Sequence, residues 1–128
     1  MGKRNQANGH KFEIRVWNIV KRNPQNLCSC ISSGSKGFID VWSLEKKKLR
    51  ACICKLNGYL DPKERKEINE ILKLQPPFVQ LEFWYYKTKR KIGKMIIDNN
   101  WEFKYSLLYA TLKKRRVDSY EVLSAIGD

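Results

Sequence analysis

Two ionisable residues attract attention because each interrupts an apolar run. Asp40 lies within the run FIDVW at residues 38–42, and Lys55 closes the run LRACICK at residues 49–55. A buried or half-buried ionisable group costs free energy unless it is paired or used in chemistry. An acid and an amine on consecutive strand-like runs therefore indicate a candidate site. The turn at residues 32–37, rich in glycine and serine, is either simple punctuation or a source of N–H and hydroxyl donors to a phosphate.

The net charge indicates an anionic partner. The chain has 26 Lys plus Arg and 13 Asp plus Glu, which gives a net charge of +13. Positive charge of this size repels itself unless an anion neutralises it, and nucleic acid is the usual polyanion. A heat-adapted surface would balance its lysines with glutamates. The basic clusters expected to contact phosphates are Lys3, Arg4, Lys36, Lys46, Lys47, Lys48, Lys87, Lys89, Arg90, Lys91 and the run at residues 113–116.

Length and composition indicate one folded domain. A chain of 128 residues with 42% hydrophobic and 12% aromatic residues can form one core. No run of eighteen apolar residues could span a bilayer, and the first residues lack the apolar segment of a secretory signal. We therefore expect no membrane association, and a reducing cytoplasmic compartment in which the protein meets DNA.

Four cysteines form two C-x-C pairs, Cys28 with Cys30 and Cys52 with Cys54. Structural zinc sites usually use C-x2-C spacing on turns. We therefore interpret all four cysteines as small buried hydrophobic residues.

The first predicted helix spans residues 8–22. Its apolar residues recur at helical spacing, with Phe12 and Val16 followed by Ile19 and Val20. Glu13 lies beside this stripe. From spacing alone it forms an ion pair on the helix flank with Lys11 or Arg15. His10, the only histidine, is expected to be exposed.

The remaining pattern alternates strands with helices. The predicted strands are residues 27–31, 38–44, 49–55, 78–86 and 94–98. Asp61, followed by Pro62 and Glu64, forms a capping box that predicts a helix to residue 74. A strand, a helix and a parallel strand imply a right-handed crossover. Residues 101–127 fit either a strand or a helix, and a second capping box at residues 118–121 predicts a short helix.

Together these elements predict an α/β fold in a single domain, residues 1–128. A mixed five-stranded sheet, built from an antiparallel meander plus crossover strands, is flanked by helices. Residues 98–128 form a C-terminal extension.

Four segments in this order resemble the archaeal Holliday-junction resolvases and their relatives in the PD-(D/E)XK nuclease superfamily. The segments are NGHKFEIRV, SSGSKGFID, ICK and GYLDPKERKEI, and the similarity covers residues 8–97. The resemblance implies a restriction-endonuclease-like fold and a homodimer that cuts branched or duplex DNA with Mg²⁺ or Mn²⁺, in DNA recombination and repair.

The resemblance also implies roles for individual residues. Glu13, Asp40 and the backbone carbonyl of Cys54 match the metal ligands, and Lys55 matches the amine that orients or activates the water. The serine that functions in the resolvases corresponds to Ser35 or, as an alternative, Ser33. The whole turn, with Ser33 and Lys36, would contact the DNA backbone.

Ile53 departs from the family pattern. The family has a metal-ligating Glu two residues before the lysine, and an isoleucine side chain cannot bind a metal. Alternation places Ile53 on the same strand face as Lys55, whereas Cys52 and Cys54 point to the other face. Two carboxylates and a carbonyl leave a weaker metal site.

Three functions therefore stay open. The first is a Mg²⁺-dependent endonuclease. The second is a resolvase-like protein with a decayed site, which binds DNA without cutting it. The third is an RNA-binding module that stacks bases on aromatic residues such as Trp84 and Tyr86.

Overall fold

The computed structural model describes residues 2–32, 38–74, 77–88 and 91–127, and the side chains of residues 8–32, 38–74, 77–88 and 91–114. The helices are α1 (Gly2–Lys21), α2 (Pro62–Leu74) and α3 (Trp101–Gly127). The strands are β1 (Asn26–Ile31), β2 (Val41–Glu45), β3 (Leu49–Cys54), β4 (Val79–Tyr86) and β5 (Ile92–Ile97). None of the helices in these ranges is long and apolar enough to cross a membrane.

The five strands form one mixed sheet in the order β1-β2-β3-β4-β5. β3 and β4 are parallel, and the other neighbours are antiparallel. The predicted α/β class, the antiparallel meander and the crossover between parallel strands are thus confirmed. β2 begins at Val41, three residues later than predicted, so Asp40 immediately precedes the strand.

α1 packs on one face of the sheet. Phe12, Val16 and Val20 are buried in a cluster with side chains from β2, β3 and β4, which include Cys52 and Cys54. Ile19, predicted on the same stripe, is 40% exposed because it lies at the edge of the buried arc. The helix therefore presents a narrow apolar face to the sheet and leaves both of its flanks accessible.

Two local features in the connection from β3 to α2, a glycine turn and a capping box, fix where the helix begins. Gly58 has a φ of 73°, a left-handed conformation suited to glycine, and its N–H donates to the carbonyl of Lys55. The predicted capping box is present. The Glu64 N–H donates to Asp61 Oδ1 at 2.8 Å, and the Asp61 N–H donates to Glu64 Oε1 at 3.2 Å. The chain thus turns sharply after β3 and starts α2 at a fixed residue.

The prediction that all four cysteines are buried is half wrong. Cys52 and Cys54 are buried, but Cys28 and Cys30 are exposed. β1 is an edge strand, and its Ser29 and Ile31 face α1. Alternation therefore turns Cys28 and Cys30 to the opposite face.

The chain forms two compact units, Met1–Asp98 and Asn99–Asp128. α3 belongs to the second unit and is continuous. The predicted short helix beginning at residues 118–121 is therefore wrong. Residues 101–126 contain no glycine or proline, so nothing in the backbone ends the helix before Gly127.

Candidate active site

Asp40 is fixed by hydrogen bonds to its two neighbouring strands. Its N–H donates to the carbonyl of Cys52 at 2.9 Å, and its carbonyl accepts from the N–H of Ser32 at 2.8 Å. Its side-chain Oδ2 accepts from the N–H of Cys54 at 2.8 Å. The carboxyl group is therefore held over the carboxyl-terminal end of β3.

The carboxyl groups of Asp40 and Glu13 lie against each other. Burial raises the pKa of Asp40 to about 7, against the opposing effect of the Cys54 N–H, and the charge and hydrogen bond of Glu13 raise it further. The positive charge of Lys55 acts in the opposite direction. Two carboxyl groups within hydrogen-bonding reach of each other favour a shared proton or a bound cation over two bare charges.

Lys55 follows the last residue of β3 and connects the site to α2. Its N–H donates to the carbonyl of Trp84 on β4 at 3.0 Å. Its Nζ forms an ion pair with Glu64 Oε2, in the first turn of α2. Sequence reasoning recognised Glu64 as a capping residue and missed this second role. The signal available was the short connection of five residues between Lys55 and the cap residue Asp61.

Glu13 pairs with His10 rather than with Lys11 or Arg15. His10 Nδ1 lies 3.6 Å from Glu13 Oε2, one helical turn away. Arg15 instead donates from Nη1 to the hydroxyl of Tyr86 at 2.6 Å. The prediction of an ion pair with Lys11 or Arg15 is therefore not met, because those two side chains lie on the other flank of α1. His10 is exposed, as predicted, with 61% of its side chain accessible.

The structure thus brings together Glu13, Asp40 and Lys55 from three separate elements. Several predicted residues cannot be placed with them. Ser33, Ser35 and Lys36 of the turn lie outside the described residues, as do Lys89 and Arg90, the side chains of Lys3 and Arg4, and those of residues 115–116. The role of the Cys54 carbonyl as a metal ligand stays a prediction.

Ile53 contributes no ligand. It is fully buried, and alternation places it opposite Cys52 and Cys54, as predicted. Burial raises the pKa of the Cys54 thiol, and the charge of Asp40 raises it further, so this thiol stays protonated. The described part of the chain contains no group of three or more His, Cys, Asp or Glu residues that could hold a metal ion. Two facing carboxylates are what the site offers.

A second buried charge cluster lies at the start of β3. Arg50 donates from Nε and Nη2 to the two oxygens of Glu82, each at 2.8 Å, and from Nη1 to Glu45 at 3.0 Å. Glu82 also accepts from the indole N–H of Trp84 at 3.0 Å. Burial alone would raise the pKa of Glu82, but the hydrogen bonds and charge of Arg50 outweigh it and lower the pKa. This cluster has the features of a structural ion pair.

Comparison of the chain with protein-family models, with curated proteins and with solved structures finds no match. The resemblance to the resolvases therefore stays a prediction.

Proposed function

We propose that this protein is a Mg²⁺-dependent DNA endonuclease of the PD-(D/E)XK type, similar to archaeal Holliday-junction resolvases, that cuts branched or duplex DNA. The observation that carries the proposal is the convergence of Glu13, Asp40 and Lys55 at one end of the sheet. These are the three residues that match the catalytic residues of that superfamily, and they come from elements in the expected order.

The facing carboxylates suit a magnesium ion. Burial, and after it the charge of Glu13, raises the pKa of Asp40, and a divalent cation bound between the two carboxylates would offset both effects. Mg²⁺ is commonly bound by one or two carboxylates, with water and substrate phosphate completing the coordination. Glu13 and Asp40 would hold it, and the bound ion would stabilise charge at the scissile phosphate and lower the pKa of a bound water.

Lys55 supplies a positive charge beside the carboxylates. Its ion pair with Glu64 holds the amine at the first turn of α2, where its charge still acts on Asp40. A held ammonium group can orient a phosphate oxygen or the attacking water. Glu64 acts here as a positioning residue.

The test is a cleavage assay on a four-way junction and on a linear duplex, each with Mg²⁺ and with Mn²⁺. Asp40→Asn should abolish cleavage because it removes one of two metal-binding carboxylates. Glu70→Gln, which neutralises an exposed acid on α2, is the matched control and should retain activity. If the wild-type protein cuts neither substrate with either metal, or Asp40→Asn cuts as well as wild type, the nuclease proposal fails.

The alternative is a decayed site that binds DNA without cutting it. Two carboxylates instead of three is the observation that favours it. Ile53→Glu should create or strongly raise cleavage if the site has decayed, and should change little if the native site is active. Because Ile53 is fully buried, an unpaired Glu there costs several kcal/mol, about the penalty for a buried charge. Circular dichroism must show that the variant is folded, and Ile53→Leu is its apolar control.

We also propose that the protein is a homodimer in the cytoplasm. The sheet face away from α1 carries Cys28, Cys30, Trp42 and Leu44, none of them charged, and Leu44 is 43% exposed. In a chain of net charge +13, a second copy can approach this neutral face with the least repulsion. Sedimentation velocity should give a dimer for wild type and a monomer for Leu44→Glu. A wild-type monomer would contradict the proposal.

A further inference from the structure

The two flanks of α1 differ in charge and in what they contact. On one flank, Trp17 donates from its indole N–H to Ser29 of β1 at 3.0 Å, and Glu13 faces Asp40. On the other flank, Arg15 reaches Tyr86 at the end of β4. Lys11 lies four residues before Arg15 and so shares its side of the helix. The flank toward β1 thus carries Glu13 and Lys21, which lies over the Trp17 ring, whereas the flank toward β4 carries these two basic residues and no acid.

The Arg15 side chain is held in place but remains accessible. Its Nη1 donates to the Tyr86 hydroxyl at 2.6 Å, and its guanidinium carbon lies 5.2 Å from the centre of the Tyr86 ring. That ring packs in turn against Phe12, with 4.6 Å between the ring centres. A guanidinium group has five N–H donors, and this contact uses one of them. An exposed Arg15 therefore presents an oriented set of donors to an anion.

The turn between β4 and β5 lies at the same end of the sheet as the site. β3 and β4 are parallel, so Lys55 after β3 and Lys87 after β4 are at corresponding ends. The Lys87 N–H donates to the carbonyl of Lys91 at 2.8 Å, which closes the turn, and both side chains are exposed. Lys94, on the α1 side of β5, lies over the Trp84 ring at 5.7 Å.

We infer that the basic flank of α1 and the β4–β5 turn form one surface that binds the phosphate backbone of duplex DNA next to the site. Its residues are Lys11, Arg15, Lys87, Lys91 and Lys94. The inference rests on the proposed function, since it takes the Asp40 end of the sheet as the place where DNA is bound. DNA carries closely spaced phosphates on both strands, which an array of arginine and lysine side chains can neutralise.

The surface excludes a second basic cluster predicted from the sequence. Lys46 and Lys47 lie in the turn between β2 and β3, at the opposite end of β3 from Lys55. The six residues of β3 separate Lys48 from Lys55, a distance of roughly 20 Å. A phosphate bound near Asp40 therefore lies at the opposite end of the sheet from that turn.

Fluorescence anisotropy with a labelled 20-base-pair duplex in EDTA tests the surface, because binding is then measured without cleavage. The double variant Arg15→Glu/Lys87→Glu should bind roughly 10- to 100-fold more weakly at 100 mM salt, and its salt slope should fall by about two. The comparison variant, Lys46→Glu/Lys47→Glu, makes the same change in net charge and should stay within about threefold of wild type.

If DNA binding weakens equally in the two double variants, or does not weaken in Arg15→Glu/Lys87→Glu, the proposed binding surface is wrong. The proposed function is not affected by either result. Absence of binding by the wild-type protein to duplex and to four-way junction overturns the proposed function itself. Tighter binding of a labelled single-stranded RNA than of duplex contradicts DNA as the partner. Arg15→Gln/Lys87→Gln serves if charge reversal disturbs folding, with circular dichroism as the check and a smaller loss expected.

Discussion

Two charge clusters lie at the two ends of β3. In the balanced cluster the carboxylates are hydrogen-bonded to an arginine, whereas in the unbalanced cluster two half-buried carboxyl groups face each other. At the start of the strand, Arg50 lies between Glu45 and Glu82, and every charged group has a hydrogen-bonded partner. At its end, burial and then the like charge of the facing Glu13 raise the pKa of Asp40 to about 7. The first cluster lowers the pKa of its buried carboxylate, and the second raises it.

The two clusters differ in whether the protein itself supplies a partner for each carboxylate. Where an arginine is hydrogen-bonded to buried carboxylates, it offsets part of the cost of removing their charges from water. Two half-buried carboxylates that face each other destabilise the fold unless a proton or a cation lies between them. A cation that binds at the end of β3, as we propose, would therefore also stabilise the fold.

The largest expected effect is a loss of stability when the balanced cluster loses its arginine. Arg50→Met leaves Glu45 and Glu82 buried without their cation, and should lower the free energy of unfolding by about 3–5 kcal/mol. Urea denaturation at pH 7 measures the loss. Lys47→Met removes one exposed positive charge and should change the stability by less than about 0.5 kcal/mol. Equal losses of stability in the two variants would show that Arg50 contributes no more to stability than an exposed lysine.

Asp40→Asn should raise the free energy of unfolding, whereas Arg50→Met lowers it. In the wild-type protein the folded-state pKa of Asp40, about 7, lies above its usual value of 3.8, so ionisation at pH 8 costs stability. The amide still accepts the hydrogen bond from Cys54 and carries no charge. We expect the variant to be more stable than wild type by roughly 2–4 kcal/mol at pH 8. A decrease in stability at pH 8 would contradict the raised pKa.

Saturating Mg²⁺ sharpens this test. The ion should raise the melting temperature of the wild-type protein, because it binds the folded state only, and should leave Asp40→Asn nearly unchanged. Differential scanning calorimetry at pH 8, with Glu70→Gln as the control that responds like wild type, measures both changes. An equal shift in all three proteins would place the metal elsewhere.

The pH dependence of stability should separate the clusters. Asp40 has a raised pKa, so its contribution to stability declines as pH rises from about 4 to about 7. Glu82 has a lowered pKa, so its contribution is complete above about 4.3 and is lost as pH falls through the folded-state value. Urea denaturation between pH 3 and pH 8 measures the free energy of unfolding. Above pH 4 this free energy should decline for wild type but not for Asp40→Asn. Glu82→Gln should instead lack the part of the stability loss at acidic pH that comes from Glu82.

The smallest effect is a difference in thiol reactivity. Cys28 and Cys30 are exposed and should react with a maleimide within minutes, whereas Cys52 and Cys54 are buried and have raised pKa values. Cys54 lies in the unbalanced cluster and is 9% exposed, against 0% for Cys52. In a Cys28→Ser/Cys30→Ser protein, mass spectrometry should find Cys54 labelled before Cys52. The reverse order would mean that the balanced cluster opens more readily.

Local patterns predicted much of this molecule. The helical stripe of Phe12 and Val16, the three-stranded meander and the capping box at Asp61 each depend on residues close in sequence. The convergence of Glu13, Asp40 and Lys55 followed from the resemblance to a nuclease family and from the element order.

The remainder depends on contacts that spacing cannot supply. Arg50 and Glu82 are 32 residues apart, and an alternating strand pattern does not show that both are buried. The contact of Glu64 with Lys55 needs the left-handed turn at Gly58. The exposure of Cys28 follows from an edge position, which a sequence does not reveal until the strand order is known.

The parallel pairing of β3 with β4 has a consequence for how the protein folds. β2 and β3 form a local hairpin, a unit that assembles in about 1–10 μs, and that hairpin alone brings the Asp40 carboxyl to the Cys54 amide. β4 can join only after the intervening segment with α2 closes a long loop, which costs chain entropy. The contact of Asp40 with the Cys54 amide and the pair of Arg50 with Glu45 can therefore form early, whereas Arg50 reaches Glu82 only after β4 joins the sheet.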